Sequence, residues 1–301
     1  MTISVFEAAM ASAKVPRSAI RIAVVGDVHL RWDDRDVQLL DAADYDLVAF
    51  VGDLAGYRQD ALGVATSIAR LETPAFVIPG NHDGVSLPHL AAETFERRRL
   101  AAVLGRGQRR RCRDLRQALG PVPLAGYSLH EVRRETLALS VITGRPHSQG
   151  GDFFAFASYL EEVYGVSSLT ASADRLCRLV DEAPHERLIF VAHNGPSGLG
   201  ARRHDIWGCD FRRQEGDFGD ADLRAAIEHA RRAGKRVLAV AAGHMHHRLK
   251  GGGERKWLLE SDGVLYVNAA RVPRIEQELR YHVCLETDGE RARAELIAVA
   301  A

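Results

Sequence analysis

Three short apolar runs near the start of the chain, Ala19 to Val25, Leu47 to Val51 and Ala75 to Ile78, alternate with helix-patterned segments, and each stops at a glycine turn. The intervening segments, Asp34 to Ala43 and Tyr57 to Leu71, carry apolar residues at helical spacing. Strand, helix, strand, helix, strand at this spacing predicts β-α-β units around a parallel sheet. In open sheets of that kind ligands bind beyond the carboxyl ends of the strands. The pattern returns with a strand at Arg187 to Ala192, a helix over Asp220 to Ala233 and a strand at Arg236 to Ala242. Between the two halves, Leu90 to Leu119 reads as Arg-rich helix, Pro121 to His130 as a strand region and Leu137 to Ile142 as a strand. Helices are expected over Phe153 to Val163 and Ser172 to Glu182. The tail offers Lys256 to Leu259, Val264 to Val267, Tyr281 to Leu285 and Arg293 to Val299, broken by Gly and Asp like antiparallel meanders. The expectation is one α/β domain over 1–301, with an inserted Arg-rich, mostly helical segment around 86–185.

Composition narrows the function classes. With 46% hydrophobic residues in 301, the chain can bury a large core. Its 40 basic and 40 acidic side chains cancel, which argues against a polyelectrolyte partner for the whole protein. No apolar stretch approaches the roughly 18 residues of a membrane span. The N-terminal stretch Met1 to Ala19 lacks a basic start and is interrupted by Glu7, so no secretory signal is expected. Cys112, Cys177, Cys209 and Cys284 form no C-x-x-C pair and read as reduced thiols of a cytoplasmic protein.

Five polar clusters follow five of the apolar runs: GDVH at Gly26 to His29, GDLAG at Gly52 to Gly56, GNHD at Gly80 to Asp83, AHNGP at Ala192 to Pro196 and GHMHH at Gly243 to His247. Asp27 and His29 are two apart, so an extended backbone would point both the same way, and His244 and His246 repeat the spacing. Asp53, Asn81 and His193 each add an oxygen or nitrogen at the end of another strand. Four imidazoles, two carboxylates and one amide exceed what one tetrahedral ion takes, and suit two adjacent ions sharing a carboxylate. One histidine after a strand is more often an ordinary core or surface residue. The conjunction carries the reading, since the chain holds only three asparagines and two of them adjoin a histidine in these clusters.

As an ordered set, GD-x-H, GD, GNHD, a distant His and GH-x-H, from Gly26 to His246, resembles the calcineurin-like metallophosphoesterase superfamily. The resemblance implies a four-layer αββα sandwich of two mixed β-sheets with a dinuclear metal site at the strand ends. By position, Asp27, His29 and His246 would hold one ion, Asn81, His193 and His244 the second, and Asp53 would bridge. His82 matches the family's second-sphere histidine, which would stabilise charge on the phosphoryl group and protonate the leaving alkoxide. Asp83 would orient it. Ser/Thr protein phosphatases of the superfamily carry Asp-Arg-Gly after the second motif. Here the stretch is GDLAGYRQD and the only nearby arginine is Arg58, which argues against a phosphoprotein substrate. The strings GRPHSQGG and AHNGPSGLG are similar to a metallophosphoesterase subgroup of cyanobacteria and plastids, a likeness that brings no substrate with it.

Other signals are weaker. Phe95 to Arg116 holds nine arginines against Glu96 and Asp114. No Phe, Tyr or Trp interleaves from Glu96 to Gly126, so a solvated helix pair is favoured over a surface for nucleic acid. Arg145 and His147 sit in a Gly/Pro-rich turn after a strand and are candidate substrate contacts. Gly198 to Asp220 reads either as a mobile flap over the site or as a loop pinned by Trp207 and Phe211. His247 should point away from the ligand face, and Asp33 and Asp34 should begin a helix. The expected protein is a hydrolase of a small phosphodiester or phosphomonoester, using two ions among Mn, Fe and Zn, which this ligand set does not separate. The rivals are a nuclease that grips a strand with the Arg-rich segment and a scaffold that binds partners without turnover.

Overall fold

The computed structural model describes residues 19–212 and 214–300. The stretch considered for a secretory signal lies outside these, apart from Ala19. In chain order the elements are β1 (Ile20–Val25), α1 (Asp34–Asp41), β2 (Leu47–Phe50), α2 (Leu62–Ile68), β3 (Ala75–Val77), α3 (Leu87–Thr94), α4 (Arg98–Leu104), a 3₁₀ turn (Gly105–Gly107), α5 (Gln108–Ala118), β4 (Leu129–Arg134) and β5 (Leu137–Thr143). They continue with α6 (Ala157–Tyr164), α7 (Leu169–Glu182), β6 (Arg187–Val191), α8 (Ala221–Arg232), β7 (Arg236–Ala242), β8 (Leu258–Ser261), β9 (Val264–Asn268), β10 (Ile275–Glu276), β11 (Leu279–Thr287) and β12 (Ala292–Ala300).

Two mixed six-stranded sheets result, one ordered β10-β11-β1-β2-β3 with β12 on β11, the other β4-β5-β6-β7-β9-β8. The period of two along each strand explains how they stack. In β1, Ile20, Ile22 and Val24 face the space between the sheets, while Ala23 and Val25 face α1, α2 and α5. In β6, Ile189 and Val191 face the inter-sheet core, and Leu188 and Phe190 pack under α7 and α8. Strands buried on both faces need apolar residues at every position, which is why these runs are unbroken in the sequence. The layers are therefore helix, sheet, sheet, helix, the expected αββα order. A one-residue slip in β1 or β6 would exchange the two cores, so register is strongly specified.

Several expectations need correcting. Tyr57 to Leu71 is helical only from Leu62, because Tyr57 to Asp60 turns along the mouth of the strand-end loops. Leu90 to Leu119 breaks into three helices, at Glu96 with its left-handed φ of 56° and at the Gly105–Gly107 turn. The strand expected within Pro121 to His130 runs instead from Leu129 to Arg134, where only Val132 is buried. Polar alternation on an edge strand hid it. Within the segment 86–185, β4 and β5 complete the second sheet, α7 covers it, and Leu115 and Leu119 of the α5 region fill the core over the first. In the tail, β9 pairs parallel with β7 as well as antiparallel with β8. Among the described residues no helix is long and apolar enough to cross a membrane.

Candidate metal centre

The carboxyl ends of β1, β2, β3, β6 and β7 converge, and the five polar clusters leave from them. The means differs from the extended spacing expected. Asp27, His29, Asp53 and His244 all have left-handed backbones, with φ of 46°, 42°, 51° and 68°. The chain turns sharply as each strand ends, and the turn aims the side chains. Such conformations cost about 1–3 kcal/mol each for non-glycine residues and cluster at functional sites. Glycines make the approach possible. A Cβ on Gly80 would collide with the Asp53 carboxylate, and one on Gly243 with that of Asp27.

Two sets of donors form. Asp27, His29 and His246 lie within 4.8 Å of one another through one ligand atom each, and so do Asp53, His193 and His244. Asn81 joins the second set, its Oδ1 being 3.0 Å from His193 Nε2. Asp53 straddles both, with Oδ2 3.9 Å from His29 Nε2 and Oδ1 3.7 Å from His193 Nε2. Each set draws on both sheets.

The hydrogen bonds behind the donors decide whether metal fits. His193 Nδ1 is 2.6 Å from the Val51 carbonyl and His29 Nδ1 is 3.1 Å from that of Ala55. A carbonyl only accepts, so both Nδ1 atoms carry the proton and both Nε2 atoms keep a lone pair. His244 is turned the other way, its Nε2 donating to the Gln149 carbonyl at 3.2 Å and leaving Nδ1 free. Asp27 Oδ1 is buried with no hydrogen-bond partner. His246 Nε2 lies 3.2 Å from His29 Nε2 and 3.5 Å from that oxygen. Lone pairs crowded together with too few donors are the complement of cations. The residues fit two metal ions.

Charge agrees. Burial alone would push both carboxyls up, yet the surrounding histidines hold Asp27 and Asp53 below the usual carboxylate range. They remain anions where a cation needs them. Burial pushes His82 down, against the pull of Asp53. Its ring meets Tyr57 edge-on at 4.6 Å and His29 at 5.2 Å, and its main-chain N–H donates to Asp53 Oδ1 at 3.0 Å.

Asp83 is fully buried. Its oxygens accept from Ala55 N at 2.9 Å and Gly80 N at 2.8 Å, so it ties two loops of the site together. Burial and the nearby Asp53 push its carboxyl up to about 6. Arg145 and His147 both lie in the interior. Arg145 is 1% exposed and held by Asp220 at 2.8 Å and Asp222 at 2.9 Å. His147 is fully buried and braces Gly80, donating from Nδ1 to its carbonyl at 2.8 Å. His247 turns away from the donors to the Asn268 carbonyl, 2.8 Å off.

The 198–220 loop is pinned. Trp207 is buried, and Arg255 donates to the carbonyls of Arg203, Asp205 and Gly208, whereas Phe211 is partly exposed and meets Phe218 edge-on. Of the nine arginines, eight are exposed, and Arg111 turns inward to the Gly84 carbonyl at 2.8 Å. Sequence reasoning missed Tyr57, the Gln149 carbonyl and the cations Arg212, Arg248 and Lys250 around the donors. Only the Gly-Gly after Gln149 hinted at a close backbone approach there.

The sequence profile of the family described as calcineurin-like phosphoesterase matches residues 20–248. No curated protein matches the chain in sequence. Among solved structures, PhoD is similar at TM-score 0.52 and 10% identity, over 96% of this chain and 69% of its own. A protein of Thermus thermophilus has TM-score 0.49 and 13% identity over 92% of this chain and 98% of its own. A dimetal phosphatase from Danio rerio has TM-score 0.46 and 12% identity over 93% and 98%. At these identities the likeness is one of fold alone.

Proposed function

The chain belongs to the calcineurin-like phosphoesterase family and is a metallophosphoesterase, and from that premise we propose that it hydrolyses a small phosphodiester or phosphomonoester at the centre described above. The observation that carries this is Asp53, whose two oxygens face the two donor sets separately. Asp27, His29 and His246 would hold one ion, Asn81, His193 and His244 the other, with Asp53 shared between them. Manganese, iron and zinc all suit the mixture of carboxylate, imidazole and amide. Two such ions supply Lewis-acid activation of water and of the phosphoryl oxygens.

The chain's own groups do the rest. Asp83 and His147 hold the Gly80 turn and so fix where Asn81 and His82 stand. Tyr57 keeps the His82 ring edge-on beside the donors. There His82 donates an N–H to the phosphoryl group, and the anionic ester, opposing the burial that keeps the imidazole neutral, favours the imidazolium that protonates the departing alkoxide. Arg212, Arg248 and Lys250 also line this cavity and favour an anion there. The unpaired cysteines support a reducing, cytoplasmic setting.

The test is hydrolysis of bis(p-nitrophenyl) phosphate and p-nitrophenyl phosphate by metal-stripped protein with Mn²⁺ restored. Turnover of either is expected. A protein with two ions bound and no turnover on any phosphate ester would be a scaffold instead.

A further inference from the structure

Beside the roughly 270 Å³ cavity lined by Asp53, Asn81, His244 and His246 lies a larger one of about 430 Å³. The two share His82 and Tyr57 as a common wall. Tyr57, Leu62, Val85, Leu87 and Leu115 supply most of the apolar lining of the larger cavity. Its charged residues cancel, Arg58 and Arg111 against Asp60 and Asp114. The donor cavity, by contrast, carries the excess of cations. We propose that the larger cavity is the leaving-group site, and that the natural substrate is a phosphate ester of a neutral alcohol with an apolar alkyl or aryl body. This rests on the phosphoesterase reading above.

Three observations support the assignment. The first is position: the group that would protonate the alkoxide borders both cavities, so an ester with phosphorus among the donors can pass its alcohol across His82 into the larger space. The second is size, since the volume falls within the range of about 300–1,000 Å³ seen for small-molecule sites. The third is exposed apolar surface. Among the described residues nine large hydrophobic side chains are exposed, and three of them, Tyr57 at 63%, Leu62 at 37% and Leu87 at 43%, line this one cavity. Apolar surface gathered at a rim marks a binding groove, whereas scattered apolar residues carry no such meaning.

The chemistry excludes two other occupants. A second phosphate would meet Asp60 and Asp114 as well as the two arginines. A sugar or glycerol would face a wall offering mostly carbon. An alkyl or aryl body loses water against that wall and gains affinity with each methylene buried.

The experiment uses manganese-loaded protein and two series of esters, n-alkyl phosphates and methyl n-alkyl phosphates from ethyl to hexyl, with glycerol 3-phosphate as the polar comparison. Alkoxide reactivity barely changes along such a series, so kcat/KM reports binding of the chain. In the series that is turned over, kcat/KM should rise about three- to fourfold per methylene, with glycerol 3-phosphate well below butyl phosphate. Ser86→Trp, which fills the cavity from a half-buried position, and Leu87→Asp at the rim should each cut the hexyl-to-ethyl ratio at least tenfold. Thermal denaturation confirms that the variants are folded, and the unsubstituted protein's series stands without them. Turnover of a chromogenic ester with a flat series overturns the leaving-group assignment and leaves the phosphoesterase reading standing. No turnover on any ester, with two metals bound, overturns both.

Discussion

His82 shows how much one residue's surroundings decide. Its neighbour Asn81 reaches His193, while its own ring lies against Tyr57 and His29, next to the donors without joining either set. Replacing it should therefore leave both ions in place and remove only its proton and its hydrogen bond. We expect His82→Ala to lower kcat by about 10²–10⁴, with two metals per chain still found by elemental analysis. Full activity in the metal-replete variant would refute the role. Arg145 carries the opposite lesson. In sequence it resembles a phosphate ligand; in the fold it is a buried cation between two carboxylates. Arg145→Ala leaves Asp220 and Asp222 facing each other in the core, and should lower stability by about 3–5 kcal/mol, read from urea unfolding. At a temperature where the variant is folded, KM should be close to that of the parent.

At the scale of elements, the strand-end loops hold one another. Ser148 and Asn194, from GRPHSQGG and AHNGPSGLG, both bond Asp220, so the two strings form one packed unit behind the centre. On the far sheet β11 carries His282, buried with its Nε2 2.8 Å from the Tyr45 hydroxyl. Burial pushes this imidazole down to about 3. Between that value and the ordinary one of about 6.5 the unfolded chain binds a proton and the folded chain does not. Stability contributed by the neutral ring is thus complete above about 6.5 and falls as the pH drops, by roughly 1.4 kcal/mol per unit. His282→Gln should flatten the urea midpoint's fall between pH 6.5 and 4.5. An unchanged slope would show that another group sets it.

At the scale of the whole molecule the two donor sets join two sheets. Asp27 and His29 follow β1 in the first sheet, while His246 follows β7 in the second; Asp53 and Asn81 likewise meet His193 and His244 across the gap. Ions bound there would tie the two sheets together, adding to the apolar packing and to polar contacts such as Arg134–Asp46 and Arg187–Gly289. Saturating Mn²⁺, at about a hundred times its dissociation constant, should add about 2.7 kcal/mol per site. For a chain of this size that raises the unfolding midpoint by roughly 5–10 °C. Asp53→Asn should abolish most of the gain, because it weakens both sites at once. A shift retained in that variant would mean that Asp53 is not shared.

The chain's order of apolar runs and polar clusters determined the αββα layers and singled out the seven side chains proposed as metal donors, because strand period, glycine turns and ligand chemistry are local properties written residue by residue. The αL turns that aim Asp27, His29, Asp53 and His244 were not legible, since spacing alone suggested extended backbone. Nor were the roles of Asp83, Arg145 and His147. The sequence alone points each toward substrate or its sequence neighbour, and in the fold each meets groups brought from other loops. The cavity beside His82 joins the loop after β2, the start of α3 and the inner face of α5, segments that touch only once the first sheet and its helices have packed. A polar side chain's partner depends on burial and on residues far away in the chain. Only the tertiary structure could decide which of these groups face the substrate and which hold the scaffold.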